Sequence, residues 1–336
     1  MKNSGIYNWA VLGCGKIARK FSNDLKLLLG AKLYAAGSRD PEKAAVFARE
    51  LGFERSYGSY EALVNDPEVD IIYVATPHSH HRDHTLLCLN NKKAVLCEKA
   101  FALNYREALE MTGCSRENNT FLMEAFWTKF QPSYVKAMEI LKSGELGEVM
   151  MIRSDFAFMA PFSNESRLYN LELGGGSLLD IGIYPVFFAV DLFGKPQRLK
   201  ALASKSPTGS DLSISISFLY KNGQMATLSS SFAGYSSVEA EFWCEKGYLR
   251  LNRRAFSPTT ITVWKSTGEE NKIEFNYSEG NGYQYEAQHV MDCLNAGKTE
   301  SGVLTLQRSL DLMETLDRVR TDAGIFYPGH DKNLFI

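Results

Sequence analysis

The chain has 336 residues, 45% of them hydrophobic and 23% charged, which excludes a mini-protein, a disordered chain and a fibrous one and predicts two domains or one domain with a large lobe. With 37 Lys and Arg against 39 Asp and Glu the formal net charge is −2 and no strongly basic block stands out, so nucleic acid is not an expected partner. Six scattered cysteines (Cys14, Cys88, Cys97, Cys114, Cys244, Cys293) form no CxxC pair. They read as reduced thiols. Met1-Lys2-Asn3-Ser4-Gly5 runs directly toward a strand, and no apolar stretch approaches the roughly 20 residues of a membrane span. The expectation is a cytoplasmic protein without a membrane partner.

Tyr7 to Leu12 is an apolar run followed by a glycine turn, a helical stretch to about Leu29 and a second apolar run, Ala31 to Ala36. That is one βαβ unit. Asp40-Pro41-Glu42 opens a helix to about Leu51, Ile71 to Ala75 reads as a buried strand, His80 to Asn90 as a helix and Ala94 to Cys97 as a strand. Asn104 with Glu107 has the spacing of a capping box for a helix to about Glu117, and Phe121 to Glu124 closes the alternation. Continuous apolar strands separated by helices predict a doubly wound parallel sheet of the Rossmann kind over residues 1–125.

From 126 to 336 the pattern changes to an α+β domain. A helix near Ser133 to Lys142 comes first. Leu212, Ile214, Ile216 and Phe218 then alternate with Ser213, Ser215 and Ser217, and Tyr220 to Gln224 turns the chain into Met225 to Phe232. Further strands are expected at Met150 to Phe158, Val238 to Trp243, Tyr248 to Leu251, Thr260 to Trp264 and Lys272 to Phe275, giving a large, mostly antiparallel sheet. Helices Tyr283 to Asn295 and Leu304 to Ala323 end the chain.

Gly13-Cys14-Gly15-Lys16-Ile17-Ala18 matches GxGxxA between the first strand and the first helix. There Gly13 permits the tight turn, Gly15 lets a pyrophosphate approach the backbone, and the amides of Lys16 and Ile17 open a helix toward the anion. The other reading is a plain glycine-rich turn. The second strand ends in Gly37-Ser38-Arg39-Asp40. Ser38 and Arg39 suit a ribose 2′-phosphate, while Asp40 before Pro41 is already placed as a helix N-cap, so NADP is favoured and NAD remains possible.

Ligands of doubly wound sheets bind beyond the carboxyl ends of strands, which singles out Thr76-Pro77-His78-Ser79-His80-His81 and Glu98-Lys99-Ala100. Lys99 can contact a ribose or a substrate hydroxyl, or simply pair with Glu98. His80 and His84 have the i, i+4 spacing of a zinc pair, but no HExxH pattern or nearby thiolate accompanies them, so no metal is expected. His81 is a candidate to line the nicotinamide end. In Gly174-Gly175-Gly176-Ser177-Leu178-Leu179-Asp180-Ile181-Gly182-Ile183-Tyr184 the glycines allow close approach to a ligand, and Asp180 and Tyr184 share a face if the segment is helical.

Together these motifs resemble the Gfo/Idh/MocA oxidoreductases, the group of glucose-fructose oxidoreductase and inositol dehydrogenase. Met123-Glu124-Ala125-Phe126-Trp127 with Tyr184 is most similar to its dimeric dihydrodiol dehydrogenase branch. The resemblance implies Lys99 and Tyr184 as the catalytic pair, Asp180 on the substrate, and an open-faced sheet that carries a homodimer or higher homo-oligomer. One departure is Ala100, where the family commonly has proline after the lysine. A cis bond before a non-proline residue costs about 2.5–4 kcal/mol, so the backbone geometry at Lys99 is left open.

The expected reaction moves a hydride between a nicotinamide and the carbinol carbon of a sugar, polyol or cyclic diol. Tyr184 takes the hydroxyl proton and the Lys99 charge favours its phenolate, or the lysine carries the proton itself. Asp180 positions Lys99 or a substrate hydroxyl. Trp127, Phe158 and Phe162 are candidates for an apolar wall and Arg153 for a polar anchor, although each is more often plain packing or surface charge. The rivals are a non-catalytic NADP-binding sensor on the same fold and a zinc-assisted dehydrogenase.

Overall fold

The computed structural model describes residues 5–277 and 279–331, so the expectation for Met1 to Ser4 lies outside the described residues. The first strands and helices alternate as β1 (Tyr7–Leu12), α1 (Lys16–Leu25), β2 (Ala31–Gly37), α2 (Pro41–Leu51), β3 (Arg55–Tyr57), α3 (Tyr60–Val64), β4 (Ile71–Val74), α4 (His81–Asn90), β5 (Ala94–Glu98), α5 (Tyr105–Asn118) and β6 (Leu122–Ala125). The six strands form one sheet, ordered β3-β2-β1-β4-β5-β6 and parallel throughout. Its central strands are apolar on both faces because helices cover both: every residue of β4 and β5 is buried.

Local chemistry sets the helix starts. Asp40 accepts the amides of Glu42 and Lys43 at 3.0 and 3.1 Å ahead of Pro41. Asn104 accepts the Glu107 amide at 2.9 Å, and the Glu107 carboxylate reaches back to the Leu103 amide at 3.1 Å, one residue earlier than a strict capping box. The short β3 and α3 escaped the sequence reading, since three to five residues are too few for a period to show.

The chain continues through α6 (Pro132–Ser143), β7 (Val149–Ala157), α7 (Ile183–Phe193), β8 (Arg198–Lys205), β9 (Asp211–Leu219), β10 (Met225–Ser231), β11 (Ala240–Cys244), β12 (Gly247–Leu251), β13 (Thr260–Lys265), β14 (Glu270–Glu274), α8 (Tyr283–Asn295) and α9 (Leu306–Asp322). An eight-stranded sheet runs β14-β13-β12-β11-β7-β10-β9-β8, antiparallel except for β7 beside β10. Ile152, Ile214, Ile216, Phe218, Ala226, Leu228 and Phe242 are buried on one face. Ser213, Ser215, Ser217, Thr227, Ser229 and Ser231 alternate with them on the more exposed face.

Two compact units emerge, Met1–Trp127 with Tyr277–Leu310, and Thr128–Asn276 with Asp311–Ile336. The sequence division at 125/126 is continuous, whereas here residues 277–310 return to the first unit. Asp24 of α1 is the local reason. Its buried carboxylate accepts the amides of Asn281, Gly282 and Tyr283 and the Asn281 side-chain amide at 2.8–3.0 Å, which supplies α8 with the cap its own residues lack. In the second unit the run Leu171–Phe193 has the length and composition of a membrane span, contrary to the expectation that no segment approached it. Of that window 78% is buried inside the fold, as in a core helix.

Candidate functional site

Around the glycine turn, α1 opens as an anion site should. Gly13 has φ +104°, and a Cβ there would lie 2.9 Å from the Ala75 carbonyl oxygen, so only glycine lets β1 and β4 end side by side. Gly15 is the N-cap and offers no side chain to the helix amides, the first turn carries no acid, and Ala18 is buried where helix and strand touch. Uncapped amides at Lys16 and Ile17 fit a pyrophosphate. At the end of β2 the Ser38 hydroxyl accepts the Asp40 amide at 3.2 Å, Arg39 is exposed, and the Asp40 carboxylate is committed to α2.

The residues after β4 and β5 are tied to each other. His81 is fully buried, with Nδ1 2.8 Å from the Ala100 carbonyl and Nε2 2.8 Å from the Thr76 carbonyl. Burial pushes its pKa down to about 4, so at neutral pH the ring has a single N–H for those two acceptors. Both ring nitrogens therefore face backbone carbonyls, and the ring links the loops that follow β4 and β5. His78 meets His81 edge-on, with ring centroids 5.6 Å apart. His84 Nδ1 lies 3.0 Å from the Thr76 hydroxyl. Among the described residues no group of three or more His, Cys, Asp or Glu is placed to hold a metal.

Glu98 likewise serves the scaffold: Tyr73 of β4 donates its hydroxyl to Oε1, and the Lys99 amide donates to Oε2 at 3.1 Å. Lys99 is half-buried just past β5, and its peptide bond to Ala100 is cis despite the missing proline. Two further acids, Glu124 of β6 and Glu286 of α8, are buried nearby, and no spacing or motif links them along the chain. Trp127 stacks on Tyr283, with ring centroids 4.5 Å apart and planes at 17°, and is buried.

In the second unit Asp180 lies in a π-helical turn, Leu178–Gly182, that passes directly into α7, where Tyr184 is the second residue. Asp180 pairs with Arg167 at 3.1 Å. The preceding glycines serve the protein's own packing: a Cβ at Gly175 would meet the Asn170 amide nitrogen at 2.7 Å, and one at Gly176 the Asp211 carboxylate at 2.0 Å. Tyr184 is buried against Phe156 and Phe256 (5.8 and 5.4 Å), which stack on each other at 4.8 Å. Phe158 is half-buried and packs edge-on against Phe232, Phe162 is exposed beside Tyr169, and Arg153 is exposed on β7. Phe256 lies in a loop without periodicity, so nothing in the sequence marked it.

The family model described as an oxidoreductase family with an NAD-binding Rossmann fold matches residues 7–126, and the GFO/IDH/MocA C-terminal domain matches residues 134–250. The chain is 36% identical over 331 residues, 95% of its length, to 99% of a trans-1,2-dihydrobenzene-1,2-diol dehydrogenase from Xenopus laevis. Among solved structures it is similar to the 3-ketoreductase KijD10 from Actinomadura kijaniata in complex with NADP and TDP-benzene (24% identity, TM-score 0.85, 95% of this chain and 98% of that one). It is also similar to levoglucosan dehydrogenase in complex with NADH and levoglucosan (18%, 0.86, 95% and 97%). With a matching fold and family-model matches in both halves, the chain belongs to the Gfo/Idh/MocA oxidoreductase family.

Proposed function

We propose that the protein is a dehydrogenase that moves a hydride between a nicotinamide and the carbinol carbon of a cyclic diol, sugar or polyol, with NADP preferred over NAD. The observation that carries the reading is the 36% identity along nearly the whole chain to a trans-1,2-dihydrobenzene-1,2-diol dehydrogenase. The aromatic faces of Phe156 and Phe256 beside Tyr184 support a substrate with an apolar side. Commitment of Asp40 to α2, leaving Ser38 and exposed Arg39 at the end of β2, supports NADP.

When bound, the nicotinamide supplies the hydride acceptor or donor. The residues of the chain do the rest. Amides of Lys16 and Ile17 hold the pyrophosphate, with Thr76, Pro77 and His78 at the end of β4 as further cofactor contacts. Lys99 and Tyr184 handle the hydroxyl proton, and Asp180, steadied by Arg167, orients the substrate. The Rossmann unit's β5 end is braced by Glu98 and His81, so Lys99 starts from a fixed backbone.

The test is purified protein with NADP and then NAD, screened spectrophotometrically against cyclic diols, inositols and aldoses. Lys99→Met and Tyr184→Phe are each expected to lose most of kcat with NADP affinity nearly intact, and unchanged turnover in both refutes the assigned roles. Tight cofactor binding without hydride transfer in either direction turns the reading toward a sensor. We also read the protein as a cytoplasmic homo-oligomer joined through the eight-stranded sheet. Six free cysteines support the compartment, and Leu202 at 81% exposure with exposed Met225 and Trp243 supports the sheet contact. Sedimentation of Leu202→Glu beside the parent chain checks it, with a shift toward monomer expected.

A further inference from the structure

The π-helical turn that carries Asp180 has no capping side chain of its own, and its N-cap residue is Ser177. What holds its start comes from β9, 34 residues further along the chain. Asp211, the first residue of β9 and fully buried, uses Oδ2 to accept the Ser177 hydroxyl at 2.8 Å and the Leu178 amide at 2.7 Å. Ser177 Oγ lies 3.0 Å from the Ser230 hydroxyl of β10. Gly182 closes the other end of the turn against the same serine, since a Cβ there would come within 2.6 Å of Ser230 Oγ. Asp211 Oδ1 sits where a side chain on Gly176 would go and has no hydrogen-bond partner among the described residues. The start of the turn is thus bonded to β9 and β10 and its end packs closely against β10, with Asp180 inside the turn and Tyr184 two residues beyond it.

We propose that Asp211 is a positioning residue for Asp180 and Tyr184, its carboxylate holding the first turn of their segment in register with the sheet. The inference rests on the roles proposed above for those two residues. Every polar or charged group facing Asp211 bears on it. The Ser177 hydroxyl and the Leu178 and Asp211 amides favour the carboxylate, as does Lys205 of β8, while the Tyr327 phenol faces it from beyond α9. Burial outweighs these and pushes Asp211 up to about 6. Protonation in mildly acid solution therefore replaces a charged acceptor of two hydrogen bonds with a weaker neutral one.

The experiment compares the parent enzyme with Asp211→Asn, Asp211→Ala and Ser177→Ala in two readouts. The first is kcat and KM against pH. The parent kcat is expected to fall as pH drops through about 6. Asp211→Asn should lower kcat by about tenfold at neutral pH, leave KM within about twofold, and abolish that acid limb. The second readout needs no activity: amide hydrogen exchange across residues 177–184, corrected for intrinsic rates, should be about tenfold faster in Asp211→Asn and Ser177→Ala than in the parent chain. If Asp211→Ala does not fold, the other two variants decide. Unchanged exchange in both overturns the proposal, as does an Asp211→Asn enzyme with parental kcat and the same acid limb. Faster exchange while Tyr184→Phe retains full turnover leaves the anchoring in place and overturns the role of Tyr184 instead.

Discussion

Replacing Glu124 by Gln keeps the shape of a side chain inside the parallel-sheet unit and removes its titration. Glu124 is fully buried on β6. Burial, with the charge of Glu98 in the same sense, raises its pKa from 4.5 to about 7, against the Ser309 hydroxyl, the Phe101 backbone and the Lys99 ammonium. A raised carboxyl means that the folded protein holds this proton more tightly than the unfolded chain does. The corresponding stability is fully present below pH 4.5 and is lost as pH rises through about 7. Moving a carboxyl from 4.5 to about 7 amounts to roughly 3 kcal/mol, at 1.36 kcal/mol per tenfold change in affinity. Glu124→Gln has no such loss. Urea unfolding followed by fluorescence of buried Trp9 should therefore find the variant near the parent at about pH 5 and more stable by about 2–3 kcal/mol at about pH 8. A variant equal to or weaker than the parent at the higher pH refutes the argument. Glu286→Gln should act in the same sense, since burial and the charges of Glu98, Asp24 and Glu124 hold Glu286 well above the carboxylate range.

Asp24→Ala removes the acceptor of four N–H groups at the start of α8 and should cost about 3 kcal/mol in the same unfolding assay, while Asp24→Asn recovers part of it. Gly13→Ala forces a side chain against the Ala75 carbonyl at φ +104° and should weaken NADP binding by at least about tenfold in calorimetry, with a stability loss of about 2 kcal/mol. Arg39→Leu should raise KM for NADP by about tenfold and leave KM for NAD within about twofold; equal effects on both coenzymes would remove the basis for the NADP preference proposed above.

What the sequence showed best was whatever repeats or has a short local rule. The βαβ alternation, the serine-alternating hairpin and the Asp40-Pro41 cap follow from periods of two and 3.6 residues and from capping chemistry, and they stand close to where the residues put them. Three-residue β3 and five-residue α3 are too short to show a period. The return of residues 277–310 to the first unit depends on Asp24, more than 250 positions away in the chain, and no local pattern records such a partner. Phe256 beside Tyr184 and Asp211 beneath Leu178 were hidden for the same reason. Spacing placed Asp180 and Tyr184 on one helical face, but it did not show that the backbone passes from a π turn to an α-helix between them.

The motif residues divide by what a strand end demands. Where a parallel strand stops, its last carbonyls and amides lose their ladder partners and need acceptors or donors from elsewhere. The single N–H of His81 meets that need at one of the Thr76 and Ala100 carbonyls and Glu98 meets it at the Lys99 amide, while Asp40 does the same for the orphan amides that open α2. Gly175 and Gly176 answer a related demand, making room for the backbone near Asn170 and the carboxylate of Asp211. Polar and glycine residues are thus dense in these motifs partly because the scaffold there requires them. His81 and Glu98 show this most plainly: both ring nitrogens of His81 lie beside backbone carbonyls, and the two carboxylate oxygens of Glu98 accept the Tyr73 hydroxyl and the Lys99 amide.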